Sequence, residues 1–146
     1  MIKHPKIAAL AVLPLDNRLL LVRRKNEPDA DLWGFPGGHV DLGETCLDAA
    51  VRELHEETTI VATPVDYLTN IDLIIKDNNE CISHHFLLAS VLCEYRSGEP
   101  VAQDDVSDAN WFDFEVVLKS KLPMSKNVDT VLRALMRRIT LGQGRG

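Results

Sequence analysis

The sequence predicts a mixed α/β fold in which helices pack on the faces of a mixed β-sheet. Three observations carry that prediction. Two short strand-like runs precede an amphipathic helix, two long strand-like runs follow it, and a second amphipathic helix comes near the end of the chain. The 146 residues suit one ordinary domain with a real core, residues 1–146 throughout, and leave no room for a second active one.

The elements follow in order. Lys6 to Leu13 is an apolar run and Arg18 to Arg24 another; Pro14-Leu15-Asp16-Asn17 between them favours a turn, so a hairpin is expected. Trp33-Gly34-Phe35-Pro36-Gly37-Gly38 reads as a loop in which proline fixes one turn and paired glycines let the backbone approach a neighbour closely. Gly43 adds a permissive joint. Thr45 stands three residues before Asp48, an N-cap signature that starts a helix near Cys46. Leu47, Ala50, Val51 and Leu54 then fall at helical spacing as its buried stripe.

Val65 to Lys76 and Cys81 to Tyr95 read as long strands around Asp77-Asn78-Asn79-Glu80, where asparagine tolerates the positive φ of a tight turn. Ser97 to Asn110 is acidic and irregular, and Trp111-Phe112 a short strand. Val128, Val131, Leu132, Leu135, Met136 and Ile139 repeat at helical spacing, with Ser125 as the expected cap. Arg133, Arg137 and Arg138 belong on the outer face or last turn, where cations suit the helix dipole. The final Gly-Gln-Gly-Arg-Gly is expected to fray. No internal repeat, low-complexity linker or domain boundary is visible.

Composition excludes several classes. No apolar run reaches membrane length, and the N-terminus lacks the charged-then-apolar layout of a signal peptide. Cys46, Cys81 and Cys93 are odd in number and lack C-x-x-C spacing, which argues against a disulfide framework and a zinc site; a reducing cytoplasm is the simplest reading. The formal charge of −6 disfavours extended nucleic acid as a partner but tolerates a small phosphorylated ligand accompanied by metal ions.

The first helix carries the chemistry. Glu53 lies three and four residues before Glu56 and Glu57, so three carboxylates share one side of it. Each like-charged i,i+4 contact costs roughly 0.2–0.5 kcal/mol. A solvated acidic face is the plain explanation. The other is a hard divalent cation, Mg²⁺ or Mn²⁺, which takes oxygen ligands and removes the repulsion.

The surrounding pattern favours the second. Gly38, five residues, Glu44, seven residues, Arg52-Glu53-Leu54, one residue, Glu56-Glu57, one residue, Thr59-Ile60 resembles the Nudix box of hydrolases that cut diphosphates linked to another moiety. One position departs, since the family usually has glycine where Thr59 stands. A β-branched residue in the left-handed conformation that suits glycine there would cost roughly 1–2 kcal/mol. The resemblance implies a Nudix-type α/β/α sandwich with a mixed β-sheet over about residues 5–140.

It also implies site residues. Glu53, Glu56 and Glu57 resemble the family's metal-binding residues, with the Gly38 carbonyl as a further oxygen ligand and Glu53 the first choice if one of them instead takes a proton from the attacking water. Glu44 and Arg52 resemble a bidentate ion pair that ties loop to helix. Asp105, six residues before Trp111, occupies the place of a later acidic ligand; Asp104 beside it is chemically equal. Arg23 resembles a substrate-contacting arginine and heads the basic trio Arg23-Arg24-Lys25. Trp33, beside the glycine loop, is either a stacking surface for a base or a core aromatic. His84 and His85, adjacent in a strand, point to opposite faces and cannot chelate one ion together. His39 and His55 adjoin the box without a required role.

The implied activity is metal-dependent hydrolysis of a nucleoside diphosphate derivative, an ADP-ribose-like nucleotide sugar or a nucleoside triphosphate, by water attack on phosphorus. A catalytically silent nucleotide sensor is the alternative, although such binders usually lose one of the acids retained here. A prenyl diphosphate isomerase would need catalytic Cys and Glu outside the box, and no such set is identifiable. Homodimers are common among relatives.

Overall fold

The computed structural model describes residues 4–143. One sheet takes the order β5-β1-β7-β6, built from β1 (Lys6–Val12), β5 (Gly37–His39), β6 (Val61–Lys76) and β7 (Ile82–Ser97). It is mixed, because β1 runs parallel to β7 and the other pairings are antiparallel. A second, antiparallel sheet has β3 (Arg18–Arg24) at its centre, paired with β2 (Pro14–Leu15), β4 (Trp33–Gly34) and β8 (Val106–Asp113). Helix α1 (Cys46–Thr58) and helix α3 (Val128–Gln143) pack into separate apolar clusters. Short α2 (Phe114–Leu118) joins the α3 side through Val117.

Alternation along the strands divides these clusters. Ala9, Ala11 and Leu13 face α1 together with Leu20, whereas Val12, Leu19 and Leu21 face α3. A strand buried on both faces reads as a continuous apolar run, which is why β1 and β3 look alike in sequence. The expected hairpin between them does not form. Both edges of β1 are taken by β5 and β7, so the chain changes sheets near Leu13 and only Pro14–Leu15 turns back on Arg18–Leu19. Asp16 and Asn17 make that turn, with φ of 52° and 61°.

The long strands extend beyond the expected limits, β6 starting at Val61 and β7 ending at Ser97. In the turn between them Glu80, rather than an asparagine, takes positive φ (63°), while Asp77 accepts the N–H groups of Asn79 and Cys81. Strand β8 begins at Val106, inside the stretch expected to be irregular, because Arg18 to Arg24 supplies a full pairing edge.

Ser125 does not cap α3. It lies two residues ahead of Asn127, whose carbonyl accepts the Val131 N–H, and its own N–H donates to the Trp33 carbonyl. Val128, Val131, Leu132 and Leu135 are buried as expected, but Met136 and Ile139 are exposed. The apolar stripe outruns the core: beyond Leu135 the helix meets β6 through Arg138, which binds the Tyr67 carbonyl and Asp66. Gly142 and Gln143 continue α3 rather than fray, and 144–146 lie outside the described residues. No helix among the described residues is long and apolar enough to cross a membrane.

Candidate active site

Helix α1 opens with the expected cap, the Thr45 hydroxyl accepting the Asp48 N–H at 3.0 Å. Ala49, Ala50 and Leu54 are buried, Leu47 and Val51 partly so. The carboxylates then part company. Glu57 is only 8 % exposed, Glu53 is half-buried, and Glu56 stands in solvent. Glu53 and Glu57 line a cleft of about 430 Å³; Glu56 does not.

Strand β5 holds this side of the helix in place. The Gly37 N–H donates to Glu57 Oε1 at 3.1 Å. A Cβ on Gly38 would come within 2.6 Å of the Glu53 Cδ, so a side chain there would displace that carboxylate. A Cβ on Gly37 would collide with the Ala9 carbonyl oxygen. The paired glycines allow β5 to lie between β1 and the acidic helix.

The other side of α1 is held by charge. Arg52 donates from Nε to Glu44 Oε2 at 2.7 Å and from Nη2 to Glu44 Oε1 at 2.9 Å, a bidentate pair. The same guanidinium reaches Glu53 (3.0 Å), Glu56 (3.2 Å) and the His39 carbonyl (3.0 Å), and the Asp41 N–H donates to Glu44. These bonds lower the Glu44 pKa and raise that of Arg52. Burial lifts Glu53 above the usual carboxylate range against the opposing pull of Arg52.

Glu57 is the most perturbed carboxylate. Burial pushes it up to about 8, opposed by the Gly37 N–H; the charge of Glu53 raises it further, Arg24 lowers it, and Asp105 raises it. Among the described residues no cationic side chain forms an ion pair with it, and Arg24 acts only through space.

Asp105 lines the same cleft, and Asp104 does not. Asp104 takes a left-handed φ of 52°, and its carbonyl accepts the Lys25 ammonium while the Asp105 carbonyl accepts the Lys25 N–H. Two residues expected at the substrate, Arg23 and Trp33, stand outside the cleft lining. Arg23 turns outward to Asp31, because side chains alternate along β3 and Arg24 shares the face of Val22, so Arg24 lines the cleft instead. Arg24 Nε donates to the Pro28 carbonyl at 3.0 Å. Trp33 is a core aromatic, packed edge-on against Phe112 at 4.7 Å, and stands outside the cleft.

The remaining wall went unread in the sequence. Leu10, Ile71, Leu73, Phe86 and Leu88 give the cleft an apolar lining, with His39 tilted against Phe86 at 5.7 Å, and Lys126 and Asn127 line it too. The alternation of Ile71 with Leu73 and of Phe86 with Leu88 was the available signal, since each pair shares one face of its strand.

A family model described as the NUDIX domain matches residues 3–135. The chain belongs to the NUDIX family. The enzyme class expected from the box, a Nudix pyrophosphohydrolase, stands with that membership. The ADP-ribose pyrophosphatase of Methanocaldococcus jannaschii is 32 % identical over 131 residues, spanning 89 % of this chain and 75 % of that protein. Phosphatase NudJ of Shigella boydii is 30 % identical, over 80 % of this chain and 73 % of its own length. Among solved structures, the MutT NUDIX hydrolase of Burkholderia pseudomallei superposes with a TM-score of 0.76 at 28 % identity, covering 90 % of this chain and 98 % of that one. The NUDIX domain of Shewanella oneidensis NrtR, solved with ADP ribose, shares the fold with a TM-score of 0.76 at 24 % identity, over 90 % of its chain and 94 % of this one. The mixed sheet and α/β layering expected from the sequence hold.

Nudix hydrolases use divalent metal ions, and the donors here suit one. Glu53, Glu57 and Asp105 present hard oxygens to one cleft, and a cation beside Glu57 would supply the charge its burial lacks. Among the described residues no three acidic, His or Cys side chains already converge as a cluster that could hold a metal ion. Glu56 is engaged by Arg52 and can join only by exchanging that partner.

Proposed function

We propose that this Nudix hydrolase cleaves the diphosphate linkage of a small nucleoside diphosphate derivative, with an ADP-ribose-like nucleotide sugar as the leading substrate, through water attack on phosphorus. The observation that carries the reading is that Glu53, Glu57 and Asp105 all line the one cleft that Arg24 also lines. The archaeal ADP-ribose pyrophosphatase and the ADP-ribose held by the NrtR domain support the substrate class.

In this reading Glu53, Glu57 and Asp105, with the Gly38 carbonyl, would hold Mg²⁺ or Mn²⁺, and Glu56 would join them if released from Arg52. The bound ion supplies neutralisation of the diphosphate oxygens and a lowered pKa for bound water. Glu53, held by Arg52 and backed by Gly38, is the first choice to accept the proton of the attacking water. Arg52 and Glu44 position these carboxylates rather than touch the reacting atoms. The free N–H groups of Arg24 meet a non-bridging phosphate oxygen, and the wall of Phe86, Leu88, Ile71 and Leu73 takes the nucleoside. Arg23 and Trp33 have no part. The three free cysteines suit a reducing cytoplasm.

The test is a hydrolysis screen with Mg²⁺ or Mn²⁺ across ADP-ribose, other nucleotide sugars, dinucleoside polyphosphates and triphosphates, with products identified by mass. Conversion of ADP-ribose to AMP and ribose 5-phosphate is expected. Absence of any cleaved diphosphate across the panel would refute the activity, and tight ADP-ribose binding without cleavage would identify a sensor.

A further inference from the structure

We propose that Thr59, the residue that departs from the family glycine, is a positioning residue: its hydroxyl docks the β7–β8 connection, and with it Asp105, onto the end of the helix that carries Glu53 and Glu57. The inference rests on the cleft reading above only for the role of Asp105.

Thr59 adopts φ 66° and ψ −6°, the left-handed conformation that glycine takes freely and a β-branched residue resists. Its N–H donates to the His55 carbonyl, which closes α1 as glycine would. The side chain does what glycine cannot. Oγ1 donates to the Glu99 carbonyl at 3.1 Å, across 40 positions of sequence.

That bond is the first of a series. The Val101 N–H donates to the Thr58 carbonyl and the Gln103 N–H to the Glu57 carbonyl, each at 2.9 Å. Gly98, with φ of 104°, backs onto Ile60, where a Cβ would come within 3.3 Å of the Ile60 Cα, and the Tyr95 hydroxyl holds the Gly98 carbonyl at 2.6 Å. The segment from Gly98 to Gln103 therefore lies along the last residues of α1. Two residues later the Asp105 carbonyl accepts the Lys25 N–H at 3.0 Å, which fixes the far end on the terminus of β3. Asp105 reaches the cleft because its loop is tied at both ends.

The Thr59 bond is the sole side-chain hydrogen bond from the C-terminal end of α1 to this loop among the described residues, and it sits at the position where the chain accepts strain. The carbonyls of Glu57 and Thr58 orient the loop but belong to any sequence; the hydroxyl belongs to this one. Strain and docking therefore pull in opposite directions at one residue, which makes them separable.

Three variants decide the matter: Thr59→Gly, Thr59→Val and Thr59→Ser. Amide hydrogen exchange at Val101 and Gln103 and thermal melting are measured without metal, and Mn²⁺ affinity by calorimetry. Thr59→Gly loses the bond and the strain together, so it is expected to melt at or above the parent temperature. Its Val101 and Gln103 amides should nevertheless exchange about fivefold faster, the factor of one ordinary hydrogen bond, with Mn²⁺ affinity falling by a similar factor. Thr59→Val keeps the strain and loses the bond: exchange accelerates equally and melting falls. Thr59→Ser keeps the bond and stays near the parent in exchange and affinity.

Parent-like exchange in both the glycine and valine variants would overturn the proposal. So would faster exchange with Mn²⁺ affinity unchanged in a protein whose Asp105→Asn variant does lose affinity. If Asp105→Asn itself binds Mn²⁺ normally, the ligand assignment fails, and the exchange data still decide whether Thr59 docks the loop.

Discussion

The two flanks of α1 solve the same problem in opposite ways. On the flank of Glu44 and Glu56, water reaches the side chains and one arginine gathers four carboxylates, Asp41, Glu44, Glu53 and Glu56. On the flank of Glu57, packing excludes water, no cation among the described residues touches the carboxylate, and burial drives its pKa to about 8. The first flank is complete as it stands. The second acquires its charge compensation only when an ion arrives, so the flank that looks less ionic is the one suited to bind a metal. A carboxylate count in the sequence treats Glu56 and Glu57 as equivalent, and their surroundings separate them.

The sharpest way to break this contrast is to neutralise Glu57 without changing its shape. Glu57→Gln is expected to lower kcat about a thousandfold or more while circular dichroism stays that of the parent. Its melting temperature in EDTA at pH 8 should rise, because a buried charge has been removed; full turnover in this variant would show that the wet flank holds the metal instead.

A second effect follows from linkage. The folded-state pKa of Glu57 lies above its unfolded value of 4.5, so the stability it contributes is fully present below pH 4.5 and is lost as pH rises through about 8. In EDTA the free energy of unfolding should therefore fall by roughly 3–5 kcal/mol across that window through this group, and Glu57→Gln should flatten the profile. Saturating Mg²⁺ should offset the loss at the alkaline end. Urea titrations at several pH values check both statements, and an identical slope in the variant would assign the pH dependence elsewhere.

The wet flank should respond more mildly. Arg52→Ala leaves Glu44 and Glu53 without their shared partner, with an expected cost of about 2–3 kcal/mol in stability and about 10–100-fold in metal affinity. A change confined to stability would make the arginine a fold residue only.

The smallest contrast lies across one strand. Arg24→Ala is expected to raise KM about tenfold or more with kcat less affected, as loss of a charged hydrogen bond to substrate requires. Arg23→Ala should stay within about twofold, since its exposed pair with Asp31 contributes little. Steady-state kinetics on both variants would reverse the assignment if their order were reversed.

How much of this could be read before folding depends on the range of the interactions. The Thr45 cap and the Glu44–Arg52 pair were legible because their partners lie within one helix or the loop that enters it. The hairpin expected between the first two strand-like runs failed because both runs are apolar on both faces, and neighbours far along the chain claimed the edges of β1. Arg23 was preferred to Arg24 for a similar reason: in a strand buried on both faces, side-chain parity carries no label for the cleft, and only the packing shows that the face of Val22 and Arg24 lines it. Trp33 lay beside the glycine loop in sequence but found Phe112 in space.

The sequence alone determined the family, the acidic helix and its charge clamp, because a fixed spacing of carboxylates and glycines on one short segment sets chemistry locally. Tertiary structure decided which of those carboxylates is dry, which arginine faces the cleft, and that Asp105 rather than Asp104 completes the acidic wall. Each of these turns on solvent exclusion and on backbone bonds between segments 40 or more positions apart, such as the Gln103 N–H on the Glu57 carbonyl and the Lys25 N–H on the Asp105 carbonyl. Desolvation is a property of what packs around a group, and no window of sequence contains it.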